Sequence, residues 1–239
     1  MMGWRGRIGF LVPPGNPTVE PEMAELAPPG VSVHFTRMSA TGPAGTHTGQ
    51  TERNLSQVES IPAAVQLLAM VSPGAIVMAH TATSYTLGQD READLVARME
   101  ALSGTRFITA FGSVLRAFEA LGVRRIAYGT PYSKDLTLEG RDHLERCGVT
   151  VVRHGHPRGV SNIYEENCER AYAIGRQVDC PAAEAIFLSG VGMPTLGAIQ
   201  NLEDDLGKPV ISASSAMMWN ALTVTGVSPT RSGYGRLFA

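Results

Sequence analysis

One histidine lies at the point where a parallel α/β sheet presents reactive side chains. His80 directly follows the apolar run from Ala75 to Ala79, whose composition predicts a buried strand. In parallel α/β sheets, the loops after the carboxyl ends of the strands carry the functional groups. Because imidazole suits proton transfer near neutral pH, we predict that His80 is a general acid or base. The alternative is a histidine that makes only structural hydrogen bonds.

Small polar residues follow His80 and also follow a second apolar run, from Ala185 to Leu188. Their hydroxyl and backbone N–H groups suit a carboxylate or a developing enolate, and glycine lets backbone donors approach a ligand closely. The alternative is that these residues only form turns. The predicted substrate-binding residues of the two loops are Thr81, Thr83, Ser189, Gly190, Val191 and Gly192.

Neither the cysteines nor the histidines are spaced like a metal site. Cys147, Cys168 and Cys180 are an odd number at wide spacing, which predicts reduced structural thiols rather than a disulfide framework or a C-x-x-C pair. Of the six histidines only His154 and His156 lie close together, and they lack acidic neighbours. No metal ligand is therefore predicted.

The composition excludes several classes of protein. Lys and Arg number 20 against 22 Asp and Glu in a chain of 239 residues, with no basic run, so nucleic acid is not an expected partner. The longest apolar stretches are far shorter than a bilayer requires, and the first residues have no apolar signal core. We predict a cytoplasmic protein with no membrane partner.

Apolar β-rich runs alternate with segments of helical period along the whole chain, which predicts parallel sheets with helices on both faces. The predicted strands are Ile8 to Val12, Val31 to Thr36, Ala75 to Ala79, Arg125 to Tyr128, Val149 to Arg153, Ala185 to Leu188 and Pro209 to Ile211. The predicted helices include Glu52 to Val71, Asp90 to Ser103, Ser113 to Leu121, Leu138 to Cys147, Ile163 to Val178 and Leu196 to Leu206.

Matching segments recur in the same order in the two halves of the chain, which indicates a duplication. The pairs are residues 6–13 with 124–131, 75–81 with 185–191, and 104–110 with 207–213. The predicted fold is α/β, with two pseudo-symmetric parallel-sheet halves of Rossmann-like or flavodoxin-like type and an active site in the cleft between them. The first half is predicted to comprise residues 1–112 plus 214–239, and the second residues 113–213.

Other polar residues are expected to have structural roles. Ser113, Ser214 and Ser215 are predicted N-caps of helices. Glu22 is predicted to lie in the first turn of a helix, where it complements the helix dipole. His47 is predicted to lie in a solvent-exposed loop, and the alternative is that it belongs to a loop over the site.

Three motifs carry a family resemblance. Residues 8–23, the Thr130-Pro131-Tyr132 loop and the tail at residues 233–238 resemble the maleate isomerase and arylmalonate decarboxylase branch of the aspartate/glutamate racemase superfamily. The resemblance implies that Asn16 contacts a substrate carboxylate and that the Tyr132 hydroxyl helps to hold one. We therefore predict Tyr132 and His80 as the catalytic residues. Pro14 and Ser133 complete the predicted substrate-binding set.

The chain departs from this resemblance at the catalytic thiols. The superfamily usually offers one cysteine in each of two symmetric loops, and the corresponding positions are His80 and Gly190. Thr81 corresponds to a threonine that stabilises the enolate in arylmalonate decarboxylase, while a serine donor is replaced by Ala82. We therefore do not expect a two-cysteine racemase or thiol-dependent maleate isomerisation.

The leading hypothesis is a cofactor-independent enzyme that transfers a proton at the alpha carbon of a small mono- or dicarboxylate, as a decarboxylase, another lyase or an isomerase, with His80 replacing the usual cysteine. One alternative is a hydrolase that opens a small amide or imide with His80 activating water. A second alternative is a catalytically lapsed paralogue that only binds a carboxylate. By resemblance, a homodimer or higher homo-oligomer is expected.

Overall fold

The computed structural model describes residues 2–157 and 162–239. Within these ranges eight strands and nine α-helices alternate in chain order. The strands are β1 Gly6–Val12, β2 Val31–Arg37, β3 Ala75–Met78, β4 Arg106–Thr109, β5 Arg125–Gly129, β6 Thr150–Gly155, β7 Ala185–Leu188 and β8 Val210–Ser212. The helices are α1 Val19–Leu26, α2 Gln50–Ala69, α3 Thr81–Leu87, α4 Gln89–Ser103, α5 Ala110–Ala120, α6 Lys134–Arg146, α7 Cys168–Val178, α8 Leu196–Leu206 and α9 Ala213–Val224.

The strands form two four-stranded sheets with the same topology. The order is β2-β1-β3-β4 in the first and β6-β5-β7-β8 in the second, and every pairing is parallel. β3 and β7 occupy equivalent interior positions, and all of their residues are buried, as expected for a parallel sheet covered on both faces. The predicted α/β fold of two pseudo-symmetric halves is confirmed.

Glycines end equivalent helices in the two halves. Gly104 follows α4 and Gly207 follows α8, with φ of +66° and +68°, in the left-handed region that glycine adopts without steric penalty. Each glycine leads directly into the last strand of its sheet. This local chemistry explains why both residues recur in the sequence repeat.

The last helix of each half packs away from the strand that precedes it. α5 follows β4, yet its Phe118 ring meets the Phe187 ring of β7 edge to face at 5.6 Å. α9 follows β8, yet it packs against α1 and β3. The two helices also pack on each other, and Asn220 donates a hydrogen bond to Ser113 Oγ at 3.0 Å. The predicted division at residues 112 and 214 stays a prediction.

Two predicted segments are wrong. The stretch after β3, predicted as a loop, forms helix α3, which is buried on nearly all sides because it lies between the two halves. The helix predicted from Ile163 begins only at Cys168, because Asn167 caps it, and a separate 3₁₀ turn occupies Ile163–Glu165.

The predicted N-caps are also wrong. Thr109 caps α5 and Ser212 caps α9. Ser215 forms a capping box with Ser212, and Ser113 donates to the Thr109 carbonyl. None of the described helices combines the length and apolarity needed to cross a membrane.

Candidate functional site

His80 lies at the carboxyl end of β3, where its extended backbone begins helix α3. Gln57 Nε2 donates to His80 Nδ1 at 3.0 Å, and Thr83 Oγ1 lies 2.7 Å from the same nitrogen. With Nδ1 accepting, the neutral ring carries its proton on Nε2. Burial, and secondly the Arg53 charge, lower the pKa of His80 to about 4, so the free imidazole is neutral at pH 7.

His80 lines a narrow, partly open cavity of about 30 Å³, which is space for only one or two waters. The other walls are Pro13 and Pro14 after β1, residues from the segment 40–45, the first turns of α2, and Ile163 with Tyr164 of the 3₁₀ turn. Both halves therefore contribute to it. A larger open groove of about 570 Å³ lies between α7 and α8, but no strand end contributes to it.

The wall supplied by α2 is polar although it lies on the buried face of the helix. Its members recur at i, i+3, i+4 and i+7, the spacing of a stripe that faces the interior. They are Gln50, Arg53, Asn54 and Gln57, each at most 9% exposed. Later in the helix the same face is apolar, with Ile61, Val65 and Leu68. The sequence analysis missed these residues, and polar side chains in the register of an apolar stripe are the signal that could have found them.

Two hydroxyl pairs join α3 to the second half. Thr81 Oγ1 and the Tyr132 hydroxyl lie 2.9 Å apart, and the Tyr85 hydroxyl lies 2.9 Å from Ser189 Oγ. Burial raises the pKa of both tyrosines, that of Tyr85 to about 12, so both hydroxyls stay protonated. Thr81, Tyr132 and Ser189 were all predicted site residues, and the structure brings them to one boundary between the halves.

Asn16 joins the start of α1 to the loop after β7. Its Nδ2 donates to the Val191 carbonyl at 3.0 Å, and its Oδ1 accepts from the backbone N–H of Thr18 and Val19 at 2.8 and 2.9 Å. Thr18 Oγ1 also donates to the Gly192 carbonyl at 2.9 Å. The polar atoms of Asn16 are thus engaged within the protein, and its role toward a carboxylate stays a prediction.

The remaining predicted residues have different surroundings. Pro14 lines the cavity, whereas Ser133 Oγ accepts from the Leu136 N–H at 3.4 Å as the N-cap of α6. Gly190 has φ of +93°, and a Cβ at this position would lie 2.7 Å from Pro131 Cγ. The loop after β7 therefore adopts a conformation that suits glycine and not cysteine.

The segment from Thr41 to Gly49 forms one wall of the cavity. The Ile163 N–H donates to the Gly45 carbonyl at 2.8 Å, and Thr46 pairs with Asn162 in an antiparallel bridge. His47 Nε2 lies 3.2 Å from the Pro131 carbonyl, so the prediction of an exposed loop histidine is wrong: this segment packs on the second half.

Arg53 of α2 holds the segment from Thr41 to Gly49 in place. Its guanidinium donates to the carbonyls of Thr46 and Thr48. None of the ion pairs found within residues 2–157 and 162–239 involves Arg53. Tyr164 lines the same cavity, and burial raises the pKa of its hydroxyl to about 12, so it remains a donor.

Glu22 connects the halves away from the cavity. Its Oε1 accepts from the backbone N–H groups of Thr195 and Leu196, at 2.6 and 3.1 Å, at the start of α8. Burial raises the pKa of this carboxyl despite these contacts. The predicted role of Glu22 at the dipole of its own helix therefore describes only part of what the side chain does, because it also caps α8.

The chemistry available in the cavity is that of imidazole, guanidinium, amides and a phenol. No cysteine lines it, and the described residues contain no cluster of histidine, cysteine and carboxylate side chains suited to a metal ion. Cys147 follows α6, Cys168 begins α7 and Cys180 precedes β7 at its amino end.

Two parallel sheets of the same topology, with a polar cavity beside the carboxyl end of β3, are typical of α/β proteins that bind small molecules at the ends of their strands. A family profile described as arylmalonate decarboxylase matches residues 8–238, and the chain belongs to that family.

Relatives align over almost the whole chain. The arylmalonate decarboxylase of Bordetella bronchiseptica is 30% identical, with 97% of this chain and 95% of that protein aligned. The maleate isomerase of Nocardia farcinica is 29% identical, with 99% and 96% aligned.

Solved structures agree with this assignment. A variant of the maleate isomerase Iso from Pseudomonas putida S16, with maleate, superposes with a TM-score of 0.89 at 25% identity, covering 98% of this chain and 97% of that one. A mutant of the Nocardia enzyme carries a covalently bound succinylcysteine intermediate; its TM-score is 0.86 at 25% identity, covering 98% of both chains. The resemblance to this branch is confirmed.

Proposed function

We propose that this protein is a cofactor-independent enzyme that transfers a proton at the alpha carbon of a small carboxylate, and that His80 supplies the proton. The observation that carries the proposal is the position of His80. It is buried at the end of a central strand, oriented by Gln57 and Thr83 through Nδ1, and it borders a narrow, partly open cavity. A side chain held through one ring nitrogen leaves the other for chemistry.

Decarboxylation fits this arrangement better than double-bond isomerisation. The succinylcysteine of the Nocardia relative is a thiol adduct, and no cysteine lines this cavity. Decarboxylation needs no nucleophile, because the breaking carbon–carbon bond leaves its electron pair as an enolate. It then requires one proton donor and groups that stabilise the enolate oxygen. The hydroxyls of Thr81 and Tyr132 are suited to the second role.

The low pKa of free His80 is compatible with a donor role. A bound carboxylate favours the charged imidazolium, because an opposite charge stabilises it and offsets the Arg53 charge. In the protonated ring Nδ1–H donates to Thr83 Oγ1, the Gln57 amide turns so that its oxygen rather than its nitrogen faces the ring, and Nε2–H is transferred to the enolate carbon. The ring returns to the neutral state, and a proton from water restores it.

The test is carbon dioxide release from a panel of substituted malonates by wild type and by His80→Ala and His80→Gln, with deuterium incorporation from heavy water at the product carbon. We expect both variants to lose at least about a hundredfold in kcat. His143→Leu is the matched control, because His143 is also buried but does not line the cavity. Near-wild-type turnover by His80→Ala contradicts the proposal, and ammonia release from small amides without carbon dioxide release favours the hydrolase alternative.

A further inference from the structure

Helix α3 contacts the second half through two hydroxyl groups on one of its faces. Thr81 and Tyr85 lie four residues apart, which is about one helical turn, so their side chains share a face. Thr81 meets the Tyr132 hydroxyl in the loop after β5, and Tyr85 meets Ser189 Oγ directly after β7, each at 2.9 Å. Because the two partners follow different strands, the pair of contacts fixes both the distance and the tilt of α3 relative to the second half.

The Tyr85 hydroxyl belongs to a chain of buried hydroxyl groups. Tyr128 donates to it at 3.5 Å, which leaves the Tyr85 proton for Ser189. Tyr85, Tyr128 and Ser189 are all buried, and none of the three is among the described residues that line the cavity beside His80. Any effect of the Tyr85 hydroxyl on chemistry in that cavity must therefore pass through the groups that it contacts.

The surroundings of Tyr85 hold its ring without help from the hydroxyl. The ring packs edge to face on Phe111 of α5, with centroids 5.6 Å apart. Gly140 of α6 lies against it so closely that a Cβ there would be 2.8 Å from Tyr85 Cε2. Phenylalanine at position 85 would keep this packing, and replacing both partners of a buried hydrogen bond by apolar groups is nearly neutral for stability. The contact between Tyr85 and Ser189 therefore contributes orientation more than stability.

We propose that Tyr85 is a positioning residue that acts through Ser189 to hold α3, and with it His80, at a fixed position relative to the loop after β7. This inference rests on the proposed function, because it concerns the residue that supplies the proton there. His80 directly precedes α3, so a tilt of the helix moves the imidazole relative to the second half. Thr81 anchors the first turn of α3, and Tyr85 anchors the next turn, so the second contact sets the tilt.

A double-mutant cycle on Tyr85→Phe and Ser189→Ala tests this, with kcat and KM measured for carbon dioxide release from the malonate panel. Tyr85→Phe is expected to lower kcat about fivefold to tenfold and to change KM less than about twofold, because the proton donor is misaligned while the substrate contacts remain. In the Ser189→Ala background, Tyr85→Phe is expected to change kcat less than about twofold, because the group through which it acts is already absent. Tyr172→Phe is the matched control and is expected to keep the wild-type kcat, because its hydroxyl also has a partner, Asp205, but lies on α7 away from the cavity.

Losses in kcat that multiply in the double variant overturn the inference, as does a folded Tyr85→Phe protein with the wild-type kcat or with a larger change in KM than in kcat. If Tyr85→Phe does not fold, Ser189→Ala alone decides, because a wild-type kcat in that variant also overturns the inference. His80→Ala separates the two proposals. Near-wild-type turnover by His80→Ala, or no carbon dioxide release by wild type, rejects the proposed function and this inference with it. Loss of turnover in His80→Ala together with multiplying losses in the cycle rejects only the role of Tyr85.

Discussion

The hydroxyls of Thr81 and Tyr132 lie 2.9 Å apart and join the first turn of α3 to the loop after β5. Thr81 is adjacent to His80, and Tyr132 also lies beside Gly190, since a Cβ there would be 3.4 Å from its ring. Tyr132 therefore touches the symmetric loops of both halves. We expect both hydroxyls to contact a carboxylate held between these loops.

Tyr132→Phe removes only the hydroxyl of this pair. We expect about a tenfold loss in the rate of carbon dioxide release from the malonate panel, with a loss of only about 1 kcal/mol in the free energy of unfolding, the usual contribution of one hydrogen bond. Tyr128→Phe is the control, because Tyr128 is equally buried and its hydroxyl is 3.5 Å from that of Tyr85. Equal losses of this rate in the two variants would assign Tyr132 a structural role only.

Glu22 is expected to stabilise the contact between the halves through its hydrogen bonds to the start of α8. Glu22→Ala leaves the N–H groups of Thr195 and Leu196 without this acceptor, and we expect a loss of about 2–4 kcal/mol in urea unfolding. Glu22→Gln keeps one acceptor oxygen and is expected to lose less than half as much. Glu20→Ala, which breaks the exposed ion pair with Arg37, is expected to change stability by less than about 1 kcal/mol. Equal losses for all three would contradict the capping role.

His143 makes the folded protein sensitive to acid. It is fully buried against Phe111, with ring centroids 4.5 Å apart, and neither ring nitrogen has a partner among the described residues. Burial, and secondly Arg146, lower its pKa from 6.5 to about 4. Between these values the unfolded chain binds a proton that the folded chain does not, so stability falls as the pH falls from about 6.5 to 4. The low pKa of His80 acts in the same direction.

His143→Leu is expected to remove one of the two histidine contributions to the loss of stability in acid. The free energy of unfolding should fall less steeply between pH 6.5 and 4, with a difference of up to about 3 kcal/mol at the acid end. At pH 7.5 the variant should be at least as stable as wild type, because no hydrogen bond is lost. Parallel pH profiles for the two proteins, measured by urea unfolding, would refute the assignment.

Restoring a thiol at position 190 is expected to strain the protein. Gly190→Cys places a side chain at φ of +93° and brings its Cβ to 2.7 and 2.8 Å from the Pro131 ring. We expect a loss of about 2–4 kcal/mol, part from the backbone and part from the overlap. Gly226→Ala isolates the backbone part, because Gly226 has φ of +73° and open space around it. Gly190→Cys combined with Pro131→Ala should recover the difference; no recovery would show that the overlap is relieved in another way.

The fold was predictable because its signals are local. The strand at Ala75 was placed to within a residue and that at Ala185 in full, since buried parallel strands are short apolar runs bounded by turn residues. Helix α3 was missed because Thr81 to Leu87 has no apolar period: it is buried on nearly every side, so its sequence resembles a polar turn.

The candidate site was predictable only in part. The position of His80 in the sequence repeat indicated that residue, and the family resemblance indicated Tyr132. Both residues lie shortly after a strand, where a local sequence pattern can place them. The contributions of Arg53 and Tyr164 depend on the segment around Gly45 meeting the segment around Ile163, which are far apart in the chain. No local pattern encodes such a contact, although the polar stripe on α2 is visible once the helix is placed.

The packing of α9 on α1 and β3 has a consequence for how the chain acquires its structure. The apolar face formed by α1 and β3 is covered by α9, which is the last α-helix of the described chain. During synthesis that face therefore stays open until residues 213–224 have left the ribosome. The first sheet can be covered fully only after the second half has been synthesised, so we expect the two halves to complete their folding together.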